Sequence, residues 1–239
     1  VVIGDNSDTS KPTYLYVKGN FIVPRCDITI GDNTTVIVDG HFKTTGENTY
    51  YKIKIGKNSK LIVNYEMFIN GNIEVGENSV VVVNRTETGS NYSMKYGSIT
   101  SKPGSKMYIY KDVYKWAGGD NHLGGEFYTG GAMWREGAGG NTYFDSNSLT
   151  YLGRDLNTNG KGNLYLQENA IVVVNTPPEA GINYETVKVT GGKTINMAAG
   201  SVLVTLGSVY HRVNASSYNM EPGSLIVSDM VKCDKSSNT

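Results

Sequence analysis

Cysteine is nearly absent, with two residues in 239, and neither has a CxxC neighbour, so no thiolate zinc or redox motif is written in the chain. His41, His122 and His211 are scattered without a partner at metal-ligand spacing, and no metal or cofactor is expected. Charge is scarce and balanced. Lys plus Arg and Asp plus Glu are both 22, which leaves nothing to attract a polyanion and argues against nucleic acid or an anionic membrane as partner. No apolar run approaches the roughly 18 residues of a membrane-spanning helix. GxSxG, HExxH, P-loop and dinucleotide-binding signatures are all missing. The run DLNTNG from Asp155 has oxygen donors but lacks the spaced carboxylates and final Glu of a calcium loop.

What is present is a repeat. Seven times the chain writes an apolar pair two apart, a turn on Asn or Gly followed by a small residue, and a second apolar pair. It reads ITIGDNTTVIV from Ile28, IKIGKNSKLIV from Ile53, IEVGENSVVVV from Ile73 and ITSKPGSKMYI from Ile99. It returns as LYLQENAIVVV from Leu164, INMAAGSVLVT from Ile195 and YNMEPGSLIVS from Tyr218. Self-similarity at this period marks a solenoid, each copy being one strand-turn-strand corner that cannot bury its apolar face alone.

The turn position holds Asn33, Asn58, Asn78, Gly104, Asn169, Gly200 and Gly223. Asn and Gly share tolerance of positive φ, so the corner is expected to bend through a left-handed residue. The next residue, Thr34, Ser59, Ser79, Ser105, Ala170, Ser201 or Ser224, is always small, as stacking at about 4.8 Å requires. Stacked Asn side chains can form an amide ladder between rungs.

Around the corner, Ile53 with Ile55 and Leu61 with Val63 alternate with Lys54 and Lys60, the pattern of half-buried strands. The continuous runs Val80 to Val83 and Ile171 to Val174 suggest strands covered on both faces. A weaker element before several corners, such as Phe68 to Gly71, implies a third strand per coil. Coils of at least 20 residues favour an all-β, right-handed parallel β-helix of about seven coils, a single domain over residues 1–239. Its interior is predicted to hold Ile30, Val36, Ile55, Leu61, Val75, Val81, Met107, Leu166, Val172, Met197, Leu203 and Ile226, at roughly 25 cal/mol per Å² buried. Cys26 and Cys233 then belong to opposite ends and are not expected to bond to each other.

Between the fourth and fifth copies the spacing jumps to 65 residues, against 20 to 31 elsewhere. Residues 111–163 are therefore expected to lie outside the regular coil as a long loop or subdomain packed on one flank. They carry both tryptophans and paired glycines at 118–119, 124–125, 130–131 and 139–140. Aromatic faces stack on the C–H patches of sugar rings while their polar edges bond hydroxyls. The candidate ligand-binding residues are Tyr108, Tyr110, Tyr114, Trp116, Phe127, Tyr128, Trp134, Tyr143 and Tyr151, with Tyr108 and Tyr110 predicted to point outward. The competing assignment is that many of these aromatics only plug the loop onto the solenoid.

Many β-helices cleave acidic polysaccharides, and the acids and bases suited to that are Glu126, Glu136, Asp145, Asp155, Arg135 and Arg154. None repeats on adjacent copies, so solvated loop charge is the preferred explanation and no catalytic residue is assigned. A structural module of a pilus, fibre or phage tail is the third alternative.

A composition rich in Asn, Ser, Thr, Tyr and Gly with 18% charged residues is that of secreted and cell-surface proteins, and the start at Val1 reads as a mature product or an excised fragment. The IGxNSxLxV corners, tyrosine-rich neutral surface and Gly-aromatic stretch resemble the C-terminal β-helical domain of tāpirins. These are surface adhesins of thermophilic plant-biomass-degrading bacteria, encoded beside type IV pilus genes, which bind cellulose without hydrolysing it. The resemblance implies an extracellular, cell-surface, non-enzymatic domain whose partner is a polysaccharide, cellulose or another plant cell-wall glucan, and an additional N-terminal domain. It supplies no residue-by-residue site. As an isolated domain the chain is expected to be monomeric.

Overall fold

The computed structural model describes residues 1–4, 10–45, 51–84, 92–116, 118–136, 139–159, 162–175, 185–190, 194–212 and 217–234. Among them there is no helix. Thirty short strands form three ten-stranded sheets, each built from every third strand of the chain and each parallel throughout. The molecule is thus a β-solenoid in which each rung gives one strand to each sheet. Rung 1 comprises Val2–Ile3, Thr13–Val17 and Phe21–Pro24, and rung 10 comprises Ser217–Met220, Leu225–Val227 and Met230–Asp234. The described part of the first 27 residues therefore belongs to a coil.

The corner works as the residue types demand. Asn33, Asn58, Asn78 and Asn169 have φ of 50 to 56°, and Gly104, Gly200 and Gly223 have φ of 69 to 82°. Behind all but the last of them the small residue is buried, and in rungs 2 to 4 these residues knit rung to rung. The Ser59 backbone N–H donates to Ser79 Oγ at 3.0 Å, the Thr34 N–H to Ser59 Oγ at 3.1 Å, and Ser59 Oγ–H to the Gly31 carbonyl at 2.7 Å. A larger side chain has no room there, and Ala, as at position 170, fits without the bonds. An amide contact joins Asn169 Nδ2 to Asn147 Oδ1 at 3.4 Å.

All twelve predicted interior residues point inward, eleven fully buried and Ile226 partly, because it sits in the last rung. The continuous aliphatic runs alternate all the same. Val80 and Val82 are half-buried and Ile171 is exposed, while Val81, Val83, Val172 and Val174 are buried. The expectation that these strands are covered on both faces is corrected: their outer valines face solvent.

The larger correction concerns residues 111–163. They do not leave the coil; they supply the rest of rung 5 and two complete rungs. Rung 6 is Asn121–Leu123, Glu126–Thr129 and Met133–Glu136, and rung 7 is Thr142–Phe144, Leu149–Leu152 and Leu156–Asn159. Polar residues at inward positions hid them. Asn121 stands where other copies have Ile, and it is satisfied inside by donating to Tyr96 Oη at 3.3 Å and accepting from the Ile99 N–H at 3.1 Å. Thr142 and Thr150 are likewise buried. Rung 7 keeps the left-handed corner, at Asn147 with φ 59°. Rung 6 replaces it with Gly124 and Gly125, and a Cβ on Gly125 would lie 2.1 Å from the Ser105 carbonyl oxygen. The glycine pairs thus mark tight corners of a regular coil.

Cys26 follows the last strand of rung 1 and carries a free thiol, whereas Cys233 is in the last strand of rung 10. Nine rung steps, about 43 Å at ~4.8 Å each, exceed any disulfide.

Two substitutions test these assignments. Asn169→Ala should lower stability by about 1–2 kcal/mol, the cost of a left-handed Cβ residue, while Asn169→Gly should be close to neutral in denaturant titration. Thr150 is fully buried, between Phe127 and Val172 in register, and its hydroxyl has no hydrogen-bond partner. Thr150→Val should therefore raise stability by about 1 kcal/mol, read as a higher urea midpoint at unchanged m.

Candidate functional site

Because the coil is regular, the outward residues of each sheet line up in columns, and the candidate aromatics are sorted onto three faces. The second sheet takes Tyr108, Tyr128 and Tyr151, adjacent in register on rungs 5, 6 and 7. Tyr110 lies just past its strand, 61% exposed. The first sheet takes Tyr143, and the third takes Tyr114 and Trp134, with Trp116 beyond the strand end. Phe127 is corrected: it is 1% exposed and points inward between Met107 and Thr150, so it offers no surface to a ligand.

On the second sheet the rings of Tyr108 and Tyr128 stack with centroids 5.2 Å apart and planes 12° from parallel, and Tyr151 follows at 6.4 Å and 36°. Tyr108 points outward, as predicted, at 38% exposure. The column does not stop at the tyrosines. From rung 1 to rung 10 it reads Tyr16, Ile37, Ile62, Val82, Tyr108, Tyr128, Tyr151, Val173, Val204 and Val227. Every member is apolar or aromatic, and all are exposed or half-buried. The stripe is about 43 Å long by the rung spacing. The second outward column beside it carries Lys60, Lys106 and Glu126 in its middle and turns aliphatic at Leu149, Ile171, Val202 and Leu225. Sequence reading found the tyrosines but not the stripe, because Ile37, Ile62 and Val82 join it only once the register is known.

Polar groups fix the ring edges. Lys106 Nζ pairs with Glu126 at 2.9 Å, which holds the ammonium above its ordinary range. Tyr128 Oη–H donates to the other Glu126 oxygen at 3.3 Å, and Asn175 Nδ2 donates to Tyr151 Oη at 2.8 Å. Burial raises the Tyr128 phenol pKa, and the Glu126 carboxylate adds to the shift. At the head of the stripe Tyr16 Oη–H donates to Asp39, and that bond raises the Tyr16 pKa.

The first sheet carries a tighter stack. His122 lies on Tyr143 at 4.5 Å and 5°, and Tyr143 on Tyr165 at 4.6 Å and 11°. Beyond Tyr165 the column continues as Asn196 and Asn219, bonded through Asn219 Nδ2 to Asn196 Oδ1 at 2.8 Å. A shallow cleft of about 320 Å³ lies there, bordered by Tyr165, Gln167, Asn196, Asn219 and Glu221. On the third sheet Lys95 covers the aromatics, its ammonium 5.8 Å from the Tyr114 ring and 5.5 Å from the Trp116 ring. Trp116 Nε1–H is further tied to the Ile69 carbonyl at 3.5 Å.

Two of the acids considered for hydrolysis are already engaged: Glu126 by Lys106 and Tyr128, Asp145 by His122 Nδ1 at 3.3 Å. Asp155 sits at the next corner, before the third sheet, and Arg154 is exposed. The side chains of Arg135 and Glu136 lie outside the described residues. No three His, Cys, Asp or Glu side chains gather as a metal site among the described residues.

The folded chain holds the Tyr128 proton more tightly than the unfolded chain does. Its contribution is therefore intact below the usual tyrosine range near pH 10 and is lost as pH rises through the raised value. In an alkaline ultraviolet titration, Tyr128→Phe should remove a late-ionising phenol, and the fall in stability at high pH should become shallower. A wild-type titration unchanged by the substitution would contradict the assignment.

A scan against protein-family models, a search of curated proteins and a search of solved structures each return no match for this chain.

Proposed function

We propose that this chain is a non-catalytic binding domain for an insoluble neutral polysaccharide, cellulose or a similar plant cell-wall glucan, displayed outside the cell in the manner of the tāpirins it resembles. The observation that carries the reading is the unbroken apolar stripe of the second sheet with Tyr108, Tyr128 and Tyr151 at its centre. An apolar band this long on a solenoid face calls for a partner, since scattered exposed apolar residues do not line up by chance into a column. A crystalline glucan presents an extended flat surface of C–H groups with hydroxyls at its edges. A flat sheet can match that surface over many rungs, whereas a closed pocket cannot.

The flanking chemistry agrees. Phenol hydroxyls at 128 and 151 are positioned by Glu126 and Asn175, and can exchange bonds with sugar hydroxyls without moving the rings. The charge pair beside the tyrosines, Lys106 with Glu126, is self-neutralised, which leaves little field beside the rings to select a charged polymer. Glu126 and Asp145 are occupied by neighbours, which favours holding a sugar chain over cleaving it.

The stripe and the first-sheet cleft make different predictions. Tyr108→Ala with Tyr128→Ala should weaken adsorption to microcrystalline cellulose roughly tenfold, at about 0.5–1.5 kcal/mol per ring lost, with little dependence on salt. Tyr143→Ala with Tyr165→Ala should leave adsorption near wild type. The reverse ranking would move the site to the first-sheet cleft, and release of reducing ends during incubation would replace binding by hydrolysis.

A further inference from the structure

Three lysines on or beside the first two sheets reach one rung onward and find a glutamate there: Lys52 pairs with Glu74, Lys57 with Glu77 and Lys106 with Glu126. The third sheet departs from this pattern. After Ile22 on rung 1, its central outward column reads Lys43, Phe68, Lys95, Tyr114 and Trp134 on rungs 2 to 6. A lysine reaching onward here meets a ring. The Lys43 ammonium lies 5.0 Å from the centre of the Phe68 ring, and that of Lys95 lies 5.8 Å from Tyr114 and 5.5 Å from Trp116. Among the described residues no carboxylate pairs with Lys43 or Lys95.

A carboxylate and a ring hold an ammonium in different ways. An ion pair cancels the charge, whereas a ring quadrupole attracts the cation and leaves its full charge to act outward. Lys43 and Lys95 are therefore positioned without being neutralised. Both are half-buried, so each gives up less freedom when a ligand arrives than a lysine waving in solvent would. A formal net charge of zero does not forbid such a local excess of cations. By register the column continues through Asn157, Lys188, Tyr210 and Lys232, so that no position along it holds an acid.

We propose that the third sheet binds a linear, carboxylate-bearing polysaccharide, a polyuronate, laid along this column with carboxylates on Lys43 and Lys95. The two lysines stand two rungs apart, about 9.6 Å at the rung spacing. An extended 1,4-linked uronate chain advances by roughly one rung per sugar, and in a two-fold ribbon alternate sugars turn their carboxylates to the same side. Every second carboxylate then meets a lysine, while the rings between them offer apolar edges to the sugar C–H groups. A single-stranded nucleic acid fits less well, because its bases need open ring faces, and ammonium groups cover those of Phe68, Tyr114 and Trp116. The inference is independent of the cellulose reading, since it concerns another face and uses charge in place of apolar area.

Affinity electrophoresis of the 239-residue chain in gels holding polygalacturonate, its highly methyl-esterified form or single-stranded oligothymidylate tests it, with cellulose adsorption read on the same samples. Polygalacturonate should retard the chain at low salt, and the effect should vanish with the methyl ester and at about 1 M salt, where the screening length is ~3 Å. Lys43→Gln with Lys95→Gln should weaken binding roughly tenfold and leave cellulose adsorption unchanged, which separates failure here from failure of the second-sheet reading. Lys52→Gln with Lys106→Gln removes the same charge from other faces and should leave polygalacturonate binding near wild type. Phe68→Leu should weaken it several-fold at unchanged net charge, because Lys43 loses the ring that holds it. No retardation at low salt, equal weakening by the two lysine pairs, or tighter binding of the oligothymidylate than of polygalacturonate would overturn the proposal.

Discussion

Backbone hydrogen bonding between rungs at about 4.8 Å is the constraint from which the rest of this structure follows. It forces every coil to follow the path of the one below, so a residue's environment is set less by its neighbours in sequence than by the residues above and below it. The corner shows how strict this is. A residue that accepts positive φ, or in rung 6 a pair of glycines, turns the chain without breaking the stack, and a small residue beside it lets the next rung approach. Ser59 and Ser79 go further by bonding between rungs, so the site of least space also becomes a seam of hydrogen bonds.

The same constraint explains which parts of the molecule were legible in its sequence. The left-handed corners at Asn33, Asn58 and Asn78 and the interior ladder from Ile30 to Leu203 are local patterns, and each copy announces itself without reference to the others. Rungs 6 and 7 were illegible because polar residues interrupt their inward positions. Asn121 is tolerable inside only because Tyr96 and the Ile99 backbone lie within reach, and they belong to the two preceding rungs, 4 and 5. Thr142 and Thr150 break the apolar signature for the same reason. A pattern search that demands aliphatic residues at inward positions reads such a rung as a loop, and the paired glycines of rung 6 reinforce the error.

The candidate site divides along the same line. That Tyr108 and Tyr110 face outward followed from alternation alone. That Phe127 faces inward while Tyr128 faces outward depends on where the strand begins, which two glycines obscured. That Ile37, Ile62 and Val82 belong with the tyrosines is a statement about register, and no window of sequence contains it. Aromatics that are close together in the chain, such as Tyr114 and Tyr128, end on different faces, while Tyr16 and Val227 end on one.

Stacking also limits what the rings can do. Where centroids lie 4.5 to 5.2 Å apart and planes are nearly parallel, each ring gives its face to its neighbour, and a ligand meets edges. A site that relied on one sugar lying flat on one open ring would therefore be poorly served by these columns. A site that relies on area is well served, because ring edges and valine methyls together form a continuous, rigid, nearly uncharged band. Such a surface gains little from any single contact and discriminates weakly among chains of similar shape, but it adds contact rung by rung over a long flat partner. Under the proposed function, the regularity that removes individual platforms favours an extended polymer over a short soluble sugar.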